Sequence, residues 1–107
     1  MLHRPVFAEV ASLRDLPPGA MTVADAGGTD VLLANVDGDV YALLDGCRVD
    51  GRTLDGGRLT GPVVVCPWHN CAYDVRSGKP VDDGPHALRV VPVAVDGDAV
   101  KVAVNVA

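Results

Sequence analysis

Two cysteines and a histidine carry the chemistry open to this chain. Cys66 and His69 stand three positions apart in Cys66-Pro67-Trp68-His69, and Cys47 lies nineteen positions upstream of Cys66. Thiolates and imidazoles select an iron–sulfur centre, zinc or copper over a hard cation. Pro67 restrains the backbone of the knuckle while the two side chains converge on one side of it. Glycines flank both segments, and backbone N–H groups freed to point inward would tune the potential of a cluster held there. The position two residues after Cys47, where a second histidine would complete the set, is Val49. Valine offers no donor atom. His86 is the first candidate to replace it, then Cys71, with Asp50 and His3 behind them. Their plain readings are an exposed loop histidine, a small buried thiol on the exit strand, a loop carboxylate and part of a frayed terminus. Tyr73, two residues beyond Cys71, is placed to offer a phenol hydrogen bond to a cysteine sulfur.

Short strands must position these residues. Valine dominates the apolar set, and Glu9 is the one glutamate among 14 acidic residues. Aspartate favours turns and caps over helix interiors, so the composition predicts strands joined by Asp-Gly turns. Strands are predicted over 7–10, 20–25, 30–35 and 39–44, the last two about the hairpin signal Asp37-Gly38. Ser12, with Asp15 three residues later, predicts one capped helical or 3₁₀ turn stopped by Pro17-Pro18-Gly19. Residues 45–62 read as a Gly- and Asp-rich loop anchored in the core by Leu54 and Leu59. A second strand pair, 63–66 and 71–75, brackets the knuckle, and 89–95 and 98–106 flank a second Asp-Gly hairpin at Asp96-Gly97. In the last strand Val100, Val102, Val104 and Val106 share a face, the alternation of a half-buried antiparallel strand. The expectation is one all-β domain over 1–107, an antiparallel sandwich with an inserted two-loop subdomain at about 45–86.

Charge and segment lengths exclude several classes. The formal net charge of -5 repels phosphate backbones and anionic lipid, and suits a basic patch on a protein partner. No apolar stretch approaches a membrane span, and residues 1–5 lack the apolar core of a signal peptide, so the expected compartment is the cytoplasm. Three cysteines are an odd number for a disulfide framework and read better as ligands or buried thiols. Arg48, Arg52 and Arg58 read as a solvated loop face, and Trp68 as packing for the knuckle or a docking aromatic. No nucleophile–base pair shows a signature spacing, which leaves hydrolysis without support.

From residue 41 to 104 the chain resembles the Rieske-type ferredoxins and the Rieske domains of aromatic-ring oxygenases. That family carries Cys-x-His, a spacer, then Cys-x-x-His, with two cysteines on one iron of a [2Fe–2S] cluster and two histidines on the other. Cys66-Pro67-Trp68-His69 matches the second box, and Tyr73-Asp74-Val75-Arg76-Ser77-Gly78 resembles the family's continuation after it. Gly51, Leu54, Asp55 and Gly57 match the pattern after the first box, and Asp83-Gly84-Pro85 stands where the family has a proline loop over its cluster. In this register Cys47-Arg48-Val49 occupies the first box, with sixteen residues between Val49 and Cys66.

The resemblance implies a Rieske-like sandwich and a [2Fe–2S] cluster on Cys47, Cys66 and His69. It also implies a one-electron carrier between a reductase and an oxygenase-type enzyme, itself turning nothing over. A clusterless subunit like the small subunit of some nitrite reductases is the second expectation, motivated by Val49. Structural zinc on Cys47, Cys66, His69 and one more residue is the third, weakened by a ligand order unlike common zinc folds.

Overall fold

The computed structural model describes residues 5–46, 53–67, 71–81 and 87–105, with backbone alone at 5, 6, 104 and 105. Among them are β1 (Pro5–Ser12), β2 (Met21–Ala26), β3 (Thr29–Val36), β4 (Asp39–Leu44), β5 (Arg58–Thr60), β6 (Val63–Val65), β7 (Ala72–Asp74), β8 (Val90–Val91), β9 (Val93–Asp96) and β10 (Ala99–Asn105). They form three antiparallel sheets, ordered β1-β10-β9, β2-β3-β4-β8 and β5-β6-β7. The all-β antiparallel expectation holds.

The four-stranded sheet is the middle layer. In β3, Val31, Leu32, Leu33, Ala34 and Asn35 are all buried. Side chains alternate along a strand, so odd and even positions leave on opposite faces. Val31 and Leu33 join Val40, Ala42, Val91, Val100 and Val102 in one core, toward the β1-β10-β9 sheet. Leu32 and Ala34 join Leu43, Leu54, Val64, Cys66, Tyr73, Val75 and Leu88 in the other, toward β5-β6-β7. A strand covered on both faces reads as a continuous apolar run, which explains why 31–34 shows no polar alternation.

The turns are legible residue by residue. Val36 pairs with Asp39 across Asp37 and Gly38, whose φ values of 54° and 99° are both in the left-handed region. That is the turn whose twist matches the flanking strands. The second hairpin is shifted by one residue: Asp96 pairs with Ala99, so the turn residues are Gly97 and Asp98, with Gly97 at φ 61°. Ser12 caps a 3₁₀ turn at Leu13–Asp15 by accepting a hydrogen bond from the Arg14 N–H at 3.2 Å. Leu16, just past it, is buried, and its carbonyl accepts from Asn35 Nδ2 at 2.8 Å. Asn35 Oδ1 accepts from the Gly38 N–H at 2.8 Å, so this one buried amide ties the capped turn to the β3–β4 hairpin.

Two sequence expectations are corrected. The strand expected over 89–95 is two strands in different sheets: β8 pairs with β4, and β9 pairs with β10. Pro92 lies between them; it has no N–H to donate, and its carbonyl accepts from the Ala103 N–H at 2.9 Å as the chain changes sheet. The segment 45–62, expected to be loop-rich with little periodicity, contains the short strand β5. Its three residues pair with Val63, Val64 and Val65.

Candidate metal centre

The β6–β7 hairpin delivers the knuckle. Val63 pairs with Asp74, Val64 with Tyr73 and Val65 with Ala72. One further hydrogen bond, from the Cys66 N–H to the Cys71 carbonyl at 2.7 Å, carries the same register past the last paired strand residues. Val64, Cys66, Cys71 and Tyr73 therefore lie on the inner face. Cys66 is 1% exposed and Tyr73 is buried, while Cys71 is half-buried against the same core. The expected anchors are also placed: Leu54 is fully buried, and Leu59 packs partly buried beside it in that core.

The loop that carries Cys47 is clamped at its base. Asp45 donates its N–H to the Asp30 carbonyl at 3.0 Å, and its Oδ1 accepts from the Leu54 N–H at 2.8 Å. The two ends of the segment that carries Cys47 are thereby tied together. Gly57 brings the far end of the loop against the knuckle. A side chain at Gly57 would run into the Val65 carbonyl, would reach the Leu54 carbonyl at 2.9 Å and would crowd Pro67 Cδ at 3.3 Å. Only a residue without Cβ lets the loops approach this closely. An open hollow of about 590 Å³ lies beside Cys66, lined by Gly56, Gly57, Arg58, Leu59, Val65 and Pro67 with it.

The exit side is organised by Asp74. Its carboxylate takes the Arg76 N–H at 2.9 Å and the Arg76 guanidinium at 3.0 Å (Nε) and 2.8 Å (Nη2). That hydrogen bonding holds the Asp74 carboxyl below its ordinary pKa, against an opposing push from burial. The turn returns the chain alongside β7, where the Val81 N–H donates to the Ala72 carbonyl at 2.9 Å. Leu88 N–H donates to the Gly78 carbonyl at 2.8 Å. The described residues on either side of the segment that includes His86 are thus held to β7 and to the turn after it.

Of the residues expected to do chemistry, Cys66, Cys71 and Tyr73 are placed together. Cys47, Val49, Asp50, Trp68, His69, His86 and His3 lie outside the described residues. Among the described residues no three of His, Cys, Asp and Glu form a group able to hold a metal ion. Three positioning residues escaped the sequence reading: Asp45 as clamp, Gly57 as contact point and Arg76 as the partner of Asp74. Asp45 had no local signal, since the amide it holds is nine residues further along the chain.

A Rieske-type [2Fe–2S] cluster needs two thiolates and two imidazoles. Cys66 meets the demand on the described side: a buried cysteine at a strand end, beside an open hollow and under a glycine-mediated loop contact. Across the four register positions the donors are Cys47, Cys66 and His69, with Val49 contributing none. By donor type the thiolate half is complete, with Cys47 outside the described residues. The imidazole half is one donor short.

Comparison with known proteins matches this geometry. The family model described as Rieske [2Fe-2S] domain covers residues 6–94. The biphenyl dioxygenase ferredoxin subunit of Pseudomonas sp. (strain KKS102) is 34% identical over 98 residues, 90% of each chain. The ferredoxin of carbazole 1,9a-dioxygenase from Nocardioides aromaticivorans IC177 superposes with a TM-score of 0.83 at 33% identity, over 92% of this chain and 96% of that one. A carbazole 1,9a-dioxygenase structure described as a complex of reduced oxygenase and oxidized ferredoxin gives 0.82 at 30% identity, over 91% and 92%. A protein assigned as an NADH-dependent nitrite reductase small subunit, from Mycobacterium tuberculosis, shares the fold at TM-score 0.79 and 22% identity, over 96% of both chains. Family model, relatives and fold agree, and the chain belongs to the Rieske [2Fe–2S] domain family.

Proposed function

We propose that this chain is a ferredoxin-type one-electron carrier that accepts an electron from a reductase and passes it to an oxygenase-type enzyme in the cytoplasm. The observation that carries the reading is the knuckle hairpin. Buried Cys66 stands at its tip, and the clamped first loop is pressed against it through Gly57. This arrangement occurs in a chain that aligns over 90% of its length with a dioxygenase ferredoxin subunit. Cys47 and Cys66 are assigned to one iron and His69 to the other, with His86 or Cys71 as the fourth donor in place of Val49. Residues 45–86 are then the cluster-carrying part of a single 1–107 domain. When bound, the cluster supplies a reversible one-electron couple. The polypeptide's part is to hold the donors, bury the thiolate side and present an acidic surface to a basic partner. The ferredoxin–oxygenase complex of the carbazole system supports an oxygenase as that partner. Among the described residues no helix is long and apolar enough to cross a membrane.

The test is anaerobic purification followed by iron and acid-labile sulfide analysis, visible absorption and EPR. Two irons and two sulfides per chain with a reducible cluster signal are expected from the family's cluster type. A folded chain without iron, sulfide or charge-transfer bands would sink the reading. It would favour the second one, a clusterless Rieske-fold subunit, which Val49 and the fold shared with nitrite reductase small subunits support. Val49→His is expected to raise cluster loading and bring the spectrum to the two-histidine type. An unchanged loading would mean that the loops have lost ligand geometry.

A further inference from the structure

Cys66 and Cys71 stand opposite one another. Their backbone hydrogen bond of 2.7 Å continues the register that pairs Val65 with Ala72. Both side chains fall on the face of Val64 and Tyr73, and both border one core. Directly opposed residues of the hydrogen-bonded kind have Cα atoms about 5.5 Å apart. That lies inside the Cα window of about 4.4–6.8 Å, and closing the bond draws the two Cβ atoms in from the roughly 4.5–5.5 Å of an opposed pair to about 3.5–4.5 Å. The two thiols also differ in access: Cys66 is 1% exposed, whereas Cys71 is half-buried.

We propose that Cys66 and Cys71 close a disulfide when no metal holds Cys66, by exchange with a low-molecular-weight disulfide. The Cys71 thiolate, the more accessible, attacks one sulfur of the small disulfide and expels the first small thiolate. The Cys66 thiolate then attacks Cys71 Sγ, breaking the mixed disulfide and releasing the second. One small disulfide is broken and reduced by two electrons, and one protein disulfide is formed. The two cysteine protons end on the two released thiols. The bond closes a six-residue ring, 66–71, and withdraws Cys66 from any ligand set. Its effect on cluster loading rests on the electron-carrier reading; the disulfide itself does not.

Trypsin separates the thiols usefully. Residues 59–76 carry Cys66 and Cys71 on one peptide, and Cys47 lies on another that ends at Arg48. The full chain, reduced and stripped of iron by a chelator, is equilibrated anaerobically with oxidised glutathione, alkylated, digested and weighed. In most molecules the 59–76 peptide is expected two hydrogens lighter and unalkylated, with Cys47 alkylated. Cys71→Ser removes this species, and Cys47→Ser leaves it in place. A peptide linking Cys47 to Cys66, or alkylation of all three thiols throughout, overturns the proposal. Pre-oxidised chain is further expected to take up ferrous iron and sulfide at least tenfold less than reduced chain, with recovery on adding dithiothreitol. Equal uptake by oxidised and reduced chains overturns the blocking role. If neither form takes up iron, the electron-carrier reading falls, and the peptide masses still decide the disulfide.

Discussion

The two faces of the middle sheet are built in opposite ways. Toward β1-β10-β9, the core is made by strands of up to eight residues, with Val31 and Leu33 of one sheet and Val100 and Val102 of the other in a single core. Toward β5-β6-β7, the strands are three residues long, and position comes from single contacts: Leu54 in the core, the Asp45 clamp, the close approach at Gly57 and the Asp74–Arg76 turn. A regular ladder holds side chains perpendicular to a sheet and cannot aim them all at one point. Donors carried on loops converge only where the loops are pinned, one contact at a time. The first face is a scaffold, and the second is a holder mounted on it.

This contrast can be broken by mutation. Leu33→Ala, in the sandwich core, is expected to lower stability by about 2–5 kcal/mol through lost burial and a cavity, with one cooperative transition in urea. Leu54→Ala removes an equally buried side chain on the holder side. It is expected to cost about 2–5 kcal/mol at most, with a different pattern. Amides of β6 and β7 should gain hydrogen-exchange rate well before those of β3 and β4. Uniform loss of protection would show that the two regions unfold as one. Asn35→Ala should cost about 1–3 kcal/mol, because the Leu16 carbonyl and the Gly38 N–H lose their partner. Equilibrium denaturation checks it, and the loading of any cluster should not change.

Asp45→Ala is expected to cost about 0.5–1.5 kcal/mol and to raise the rate of iron loss to a chelator, since it opens the base of the first loop. Asp45→Asn keeps an acceptor oxygen and should restore both properties. Equal iron loss from the two variants would rule out the clamp as a positioning contact. The smallest effect concerns Asp74. Its folded carboxyl is depressed, chiefly by its hydrogen bonds to Arg76, so its contribution is present above the unfolded pKa near 3.8 and disappears as the pH falls through the lower folded value. Wild type should therefore lose slightly more Tm than Asp74→Asn on acidification below about pH 4. Because the pair is solvent-facing, the difference will be small and will shrink in salt.

The strand-rich class, the capped 3₁₀ turn, the Asp37-Gly38 hairpin and Leu54 as an anchor were all legible from the order of residues. These follow from local rules, since turn conformation, capping and side-chain alternation depend on neighbours only a few residues away. The donor inventory, Cys47, Cys66 and His69 with no donor at Val49, was legible in the same way, because donor chemistry belongs to the residue type. Tertiary structure decided what depends on distant partners. β5 is three residues long and exists through pairing with β6; the run 31–34 is buried twice because a sheet covers each face; Pro92 divides one apolar stretch between two sheets. The opposition of Cys66 and Cys71 belongs to the same class. Five residues apart in the chain, they become neighbours because the β6–β7 register, set by the burial of Val64 and Tyr73, places them face to face.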